Sequence, residues 1–157
     1  MKKLILLIGF LTFGLSTIQG QEIADHALGL RFSENSGVGA EFTYQKRLSE
    51  SNRLEIDLGI RGNNGNNIFK ATGLYQWVWV LEDNFNWYLG AGGGLGSFNN
   101  NDLNISEVFL FGAGVIGVEY NFDIPIIVAL DFRPEIGLGN VLDGFNADFG
   151  LAVRYQF

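Results

Sequence analysis

The chain has 157 residues, with 22 Gly, 14 Phe, 5 Tyr, 3 Trp and no Cys, and its formal net charge is −7 at pH 7. Without cysteine it can have no disulfide framework, no CxxC metal or redox site and no lipidated N-terminal cysteine. The acidic balance argues against binding nucleic acid through its phosphates, and the length fits one compact domain.

The first twenty residues predict an export signal. Lys2 and Lys3 form a charged start, residues 4–15 are apolar, and a short segment leads to a cleavage site after Gly20. We therefore predict a signal peptide over residues 1–20 and a mature domain over residues 21–157. The apolar run is shorter than the ~20 residues of a membrane-spanning helix, which disfavours an uncleaved anchor, and the mature chain has no other candidate.

Eight segments of the mature chain alternate with a period of two, which is the pattern of a β-strand with two different faces. In chain order they cover residues 27–33, 38–45, 53–61, 69–81, 85–95, 107–122, 126–133 and 145–157. In the last segment, the apolar and aromatic residues share one face and the polar or small residues share the other. The pattern predicts an all-β chain with eight antiparallel strands.

Two strands do not show their facing clearly. In the sixth, both faces are apolar over residues 109–115, and we assign Leu110, Ile116, Val118 and Tyr120 to the outer face. We do so because Glu119 and Asn121 are polar and are expected on the inner face. Around Tyr75 in the fourth strand, the sequence likewise does not decide which face points outward.

The connections alternate in kind. Looser, Asn-rich loops follow the odd strands, at residues 33–37, 62–67, 97–107 and 134–144, and mostly tighter turns follow the even strands, at residues 48–52, 82–84 and 121–125. Long loops at one rim and short turns at the other are typical of an outer-membrane β-barrel. We expect an eight-stranded antiparallel up-and-down transmembrane barrel, with both termini at the short-turn, periplasmic side.

The charges indicate which face points into the barrel. The polar face carries seven cations and six anions, whereas the other eleven acids, Glu135 among them, fall in loops or at strand ends and are matched only by Lys46. A closed interior must pair its charges because unpaired buried charge is costly. The predicted interior charge network comprises Arg31, Glu41, Arg47, Arg53, Glu55, Asp57, Arg61, Lys70, Glu119, Asp131, Arg133, Asp148 and Arg154.

Small and aromatic residues complete the pattern. The fifth strand places Gly90, Gly92, Gly94 and Gly96 on the inner face, where we expect them to relieve crowding around long Arg and Glu side chains. Aromatic residues on the outer face gather near strand ends, as interfacial girdles do. The predicted girdle comprises Tyr44, Tyr75, Trp77, Trp79, Trp87 and Tyr120.

The chain resembles the small outer-membrane barrels of Gram-negative bacteria, of the OmpA transmembrane domain and OmpX class. The export signal, the eight alternating strands and the final segment Val153-Arg154-Tyr155-Gln156-Phe157 carry this resemblance. It implies a monomer among outer-membrane lipids and lipopolysaccharide, and an assembly signal read by the barrel assembly machinery. That signal would be Phe149, Leu151, Val153, Tyr155 and Phe157. We expect no peptidoglycan-binding domain after the barrel and therefore predict no wall-tethering role.

Two motifs suggest other chemistry. Residues 112–117 match GxGxxG, but the extended pattern continues through residue 122 where a dinucleotide site needs a helix. His26 is the only histidine, and a lipid-modifying enzyme would need a Ser beside it, whereas Ser33 and Ser36 are expected at the opposite rim. We therefore predict no catalytic residue, no cofactor, no metal site and no nucleic-acid partner.

The predicted role is structural or interaction-based, because an eight-stranded barrel is filled by its own side chains. The main alternative is a narrow channel for small or apolar solutes. Two others are a lipid-modifying enzyme and a soluble carrier of the lipocalin type with its apolar face turned inward.

Overall fold

The computed structural model describes residues 23–34, 38–63, 66–100, 105–138 and 144–157. The predicted signal peptide over residues 1–20 lies outside the described residues. Within them no helix is both long and apolar enough to cross a membrane. The strands are β1 (His26–Glu34), β2 (Val38–Arg47), β3 (Asn52–Asn63), β4 (Asn66–Glu82), β5 (Phe85–Asn100), β6 (Ile105–Asn121), β7 (Ile126–Gly137) and β8 (Phe145–Gln156).

The eight strands form a closed barrel in which each strand pairs antiparallel with its sequence neighbour and β8 pairs with β1. At this closing seam, the backbones of His26 and Phe157 exchange two hydrogen bonds of 3.1 and 2.9 Å. The predicted eight-stranded antiparallel up-and-down barrel is therefore confirmed.

The two faces of the strands differ as their residue types require. On β8, Asp148 and Arg154 are buried in the barrel, while Phe149 and Tyr155 are 66% and 53% exposed on its outside. On β6, Leu110, Ile116 and Val118 lie outside, as we assigned them, and on β4 Tyr75 and Trp77 lie outside. The polar residues are therefore inside and the apolar belt is outside, which is the arrangement of a membrane barrel and not of a lipocalin.

Several strands extend into segments that the sequence pattern predicted as loops. Asn66 pairs with Asn63 and with Asn100, and Asn100 pairs with Ile105, so parts of the segments predicted as loops belong to β4, β5 and β6. Asparagine is depleted in strands, which is why these ends appeared to be loops. Similarly, β7 continues through Pro134 to Gly137.

Candidate functional site: the barrel interior

Arg31 on β1 is the first centre of the buried ion pairs. Its guanidinium contacts Asp131 at 2.5 Å, Asp148 at 2.7 Å and Glu41 at 3.1 Å, and its side chain is fully buried. Gly150 lies against the guanidinium, where a Cβ atom would clash with it. One arginine thus joins carboxylates from β2, β7 and β8.

Arg133 on β7 is the second centre. It contacts Asp57 at 2.6 Å, Glu41 at 3.0 Å and Glu55 at 3.1 Å. Arg154 on β8 reaches the same Glu55 at 2.9 Å. Because Glu41 also contacts Arg31 and Glu55 bridges two arginines, these residues form one continuous network across the barrel.

A third group lies around Arg53 on β3. Its guanidinium contacts Glu119 at 2.8 Å, donates a hydrogen bond to Gln76 at 2.7 Å, and lies 4.8 Å from the ring centre of Tyr88. Asn86 donates a second hydrogen bond to Glu119 at 3.2 Å. Here one ion pair is supported by neutral polar groups and an aromatic ring.

Lys70 and Glu135 form a fourth pair, with contacts of 2.5 and 2.6 Å. We predicted Glu135 in a loop, and this prediction is wrong. β7 continues beyond Pro134, so Glu135 keeps the parity of Asp131 and Arg133 and faces the interior. Extending the alternation by two residues would have identified it.

Together these groups pair the buried charges of the described strands. Each of the seven buried carboxylates lies within 3.0 Å of an Arg or Lys nitrogen.

Two predicted members of the network, Arg47 and Arg61, are not among these interior pairs. Arg47 is at the end of β2, where it is partly exposed and pairs with Asp25 at 2.7 Å; the side chain of Arg61 lies outside the described residues.

Sequence analysis missed the neutral polar residues that support the charges. Thr43 accepts a hydrogen bond from Arg154 at 3.2 Å, and Gln45 donates one to Glu55 at 2.5 Å. Both are buried and alternate in step with Glu41 on β2. The alternation places both on the polar face of β2, but the predicted network included only residues with formal charges.

An apolar cluster occupies part of the interior beside β4, β5 and β6, next to buried polar residues of the same strands such as Lys70, Gln76 and Glu119. Leu74 and Tyr88 are fully buried there, and Phe111 is 2% exposed. The ring centres of Phe109 and Phe111 are 6.1 Å apart. The nitrogen of Lys70 lies 4.7 Å from the ring centre of Phe111, where the two sides meet. The barrel is therefore filled by ion pairs with their polar partners and by this apolar cluster, which we call the apolar side of the interior.

The glycines of β5 accommodate this apolar side. A Cβ atom at Gly94 would lie 2.6 Å from Phe111, one at Gly96 would clash with the ring of Phe109, and one at Gly90 would lie 2.8 Å from Gln76. We expected these glycines to make room for long Arg and Glu side chains, and that expectation is wrong. Gly94 and Gly96 make room for the aromatic rings of β6, whereas Gly90 lies against Gln76 and Val115, and Gly92 against the backbone of Gly73.

The predicted girdle residues lie outside the barrel, in aromatic pairs. Trp79 stacks on Trp87 with 4.5 Å between ring centres, and Tyr75 meets Trp77 edge to face at 5.0 Å. Tyr120 contacts Phe85 and Phe122.

At the closing seam, His26 lies between Tyr44 and Phe157, with ring-centre distances of 6.0 and 5.5 Å. Its Nδ1 atom is 2.8 Å from the Tyr44 hydroxyl. Of the predicted assembly-signal residues, Phe149, Leu151, Val153 and Tyr155 lie on the outer face of β8, and Phe157 follows the strand.

A small cavity lies where the interior meets the mouth of the barrel. A cavity lined by Gly39, Glu41, Gly59 and Lys70 has a volume of about 10 Å³, which is room for no more than one water molecule. The described residues contain no group of three or more His, Cys, Asp or Glu side chains that could hold a metal ion.

Comparison with solved structures identifies the fold. The N-terminal β-barrel domain of OprF from Pseudomonas aeruginosa superposes with a TM-score of 0.76 at 13% identity, over 87% of this chain and 100% of that one. Neisserial surface protein A gives 0.63 at 15% identity over 84% and 94%. Ail, the attachment invasion locus protein of Yersinia pestis, gives 0.56 at 15% over 84% and 96%.

No protein-family model matches the chain, and a search of curated proteins finds no match. The identities to the solved barrels are low, so the likeness is one of fold. The chain has the fold of the small eight-stranded outer-membrane barrels, as the resemblance implied.

Proposed function

We propose that this chain is an outer-membrane β-barrel protein with a closed, filled interior, and that its role is structural or one of surface interaction. The observation that carries the proposal is the interior itself, in which cross-barrel ion pairs and packed aromatic rings occupy the space of a pore. One structural neighbour is the attachment invasion locus protein of Yersinia pestis, and its name is consistent with a surface role.

The proposal predicts that the protein does not conduct ions. The purified protein would be inserted into a planar lipid bilayer, with its folded state verified by a mobility shift between unboiled and boiled samples on an SDS gel. We expect no steady open-channel current at neutral pH. A reproducible open-channel current from the monomer would overturn the filled-interior proposal.

We further propose that residues 1–20 are removed on export and that the mature domain is a monomer in the outer membrane, in contact with phospholipid and lipopolysaccharide. The barrel assembly machinery would recognise the aromatic face of β8. Membrane fractionation followed by N-terminal sequencing tests these statements. Recovery in the soluble fraction without detergent would contradict them.

The apolar side of the interior favours one alternative function, the passage of small apolar solutes. Phe98, Phe109 and Phe111 provide an uncharged surface inside the barrel. Uptake of a small apolar solute into vesicles, faster with the protein than without it, would support this alternative.

We propose no enzymatic activity. The nitrogen Nδ1 of His26 is engaged by the Tyr44 hydroxyl at 2.8 Å, and its ring is stacked on Phe157. These contacts give the histidine a packing role at the seam. Retention of all lipid structures in membranes that contain the protein would agree with this proposal, and a lipid change that His26→Ala abolishes would refute it.

A further inference from the structure

The hydrogen-bond ladder between β6 and β7 is interrupted along its length. Two successive positions, Gly114 opposite Pro134 and Val115 opposite Arg133, are missing from an otherwise continuous register. Three register pairs remain on the loop side of this gap and six on the short-turn side. In the part of the chain that the structure describes, the other seven seams lose no register pair away from their turns.

Proline explains the gap, because it has no backbone N–H. The N–H of Leu138 donates to the carbonyl of Leu110 at 2.8 Å. Hydrogen-bonded positions of an antiparallel ladder recur every two residues, so Gly114 and Pro134 stand at such a position and the Gly114 carbonyl cannot accept its ladder bond. Pro134 stays in register with Ala147 on β8. β7 is therefore an edge strand toward β6 only, which is where proline is tolerated in a sheet.

On the loop side of the gap, the ends of β7 and β8 form a two-stranded flap. We use the name mouth flap for residues 134–137 and 145–147, whose two strands stay paired with each other. The register of β8 with β1 ends below the flap, at Phe149. The attachments of the mouth flap to the rest of the barrel include the three register pairs with β6 and the contact of Glu135 with Lys70 on β4.

Side chains add little to the hold of β6 on the mouth flap. On the outer face β6 has only Gly112 and Gly114 here, and a Cβ atom at Gly112 would meet no atom within 4 Å. On the inner face Ala113 and Val115 are apolar, and Glu135 across the seam reaches to Lys70 on β4 instead. Segments with few such contacts open locally at a lower free energy than the rest of a fold.

We propose that the mouth flap separates from β6 as a unit, down to the gap at Pro134, while the rest of the barrel stays closed. Ala113 and Phe111 lie behind the three register pairs that would break. Opening therefore uncovers part of the apolar side of the interior and joins it sideways to the surroundings of the barrel. The inference goes beyond the proposed function, because it requires only the closed barrel.

Amide hydrogen exchange, measured by NMR on the mature protein in lipid nanodiscs, tests this inference. β6 supplies an internal control, because alternate residues of a strand direct their N–H groups to opposite neighbours. Gly112 and Gly114 point to β7, whereas Phe111 and Ala113 point to β5 at the same depth. One ladder bond corresponds to up to about tenfold in an equilibrium constant. We therefore expect protection factors about tenfold lower at the two glycines.

Pro134→Ala supplies the missing donor and should raise the protection of Gly112 and Gly114 about tenfold. Pro125→Ala is the matched control, because Pro125 lies in the short turn before β7, and it should change neither value. The heat-dependent gel shift verifies that each variant is folded.

Three results would overturn the proposal. Equal protection toward β5 and toward β7 in the unchanged protein would show that no flap opens. Low protection at the glycines that Pro134→Ala does not raise would indicate ordinary fraying at the rim. Equally low protection at Ile116 and Val118, which lie on the other side of the gap, would show that the opening does not end at Pro134.

Discussion

Arg133 provides the strictest test of the interior network, because one buried guanidinium serves three carboxylates. Arg133→Met keeps the length of the side chain but leaves Glu41, Glu55 and Asp57 without their contacts of 2.6 to 3.1 Å. Removing one partner of a buried ion pair typically costs about 3–5 kcal/mol, since the remaining charge is stranded. At 1.4 kcal/mol per tenfold, the folding equilibrium should shift by roughly a hundredfold to several thousandfold.

The assay is urea unfolding of the protein in lipid vesicles, followed by tryptophan fluorescence. The matched control is Arg47→Met, because Arg47 pairs with Asp25 at the rim, where their side chains are 28% and 66% exposed. An exposed pair contributes about 0–1 kcal/mol. If Arg133→Met cost no more than Arg47→Met, the interior charges would not be held in a water-poor network and our reasoning would fail.

A second substitution tests whether stranded charge is the cause. Asp57 makes the shortest of the three contacts with Arg133, at 2.6 Å. In the Arg133→Met background Glu41 still contacts Arg31 and Glu55 still contacts Arg154, so Asp57 is the carboxylate left unpaired, and Asp57→Asn removes that charge. We expect it to recover about 0.5–3 kcal/mol, the range of coupling between contacting residues. No recovery would indicate that lost packing, and not lost pairing, explains the first result.

The remaining predictions use the same unfolding assay. Gly94→Ala places a methyl group against the backbone carbonyl of Ala71 and 2.6 Å from Phe111, so it should cost about 1–3 kcal/mol by overpacking. Gly112→Ala, with nothing within 4 Å, should be neutral or stabilising by up to ~1 kcal/mol, and equal effects would contradict the packing account. His26→Phe keeps the ring stack but removes the hydrogen bond to Tyr44, so it should cost about 0.5–1.5 kcal/mol. Tyr44→Phe should add little to it, and fully additive costs would show that the two residues do not act together.

The alternation of residue types predicted most of the fold, because the two faces of each strand have opposite environments. Strand number, facing and the inner position of the charges all follow from parity. Strand ends were less predictable. Asn66, Asn100 and the residues after Pro134 belong to strands because the neighbouring strand continues beside them, and such pairing is a property of two segments that the composition of either one does not reveal.

The sequence predicted which residues face the interior, but it did not predict which of them form ion pairs with one another. Parity places Arg133 and Glu41 inside, yet only the closed barrel determines that they touch across it. The apolar half was the least predictable part. Because both faces of β6 are apolar around Phe111, periodicity could not indicate that aromatic rings would pack over Gly94 and Gly96.

The cross-barrel pairing has a consequence for how the barrel forms and opens. Arg31 and Glu41 are register partners on adjacent strands, so their contact can form within one hairpin. Arg133, in contrast, joins β7 to β2 and β3, which are not its neighbours.

Contacts between strands that are not neighbours, such as those of Arg133, exist only once the barrel is closed. Interactions that are absent from the transition state act mainly on the unfolding rate. Arg133→Met should therefore accelerate unfolding much more than it slows folding into vesicles. A change confined to the folding rate would show that the charges meet before closure, and that the network guides assembly in addition to stabilising the finished barrel.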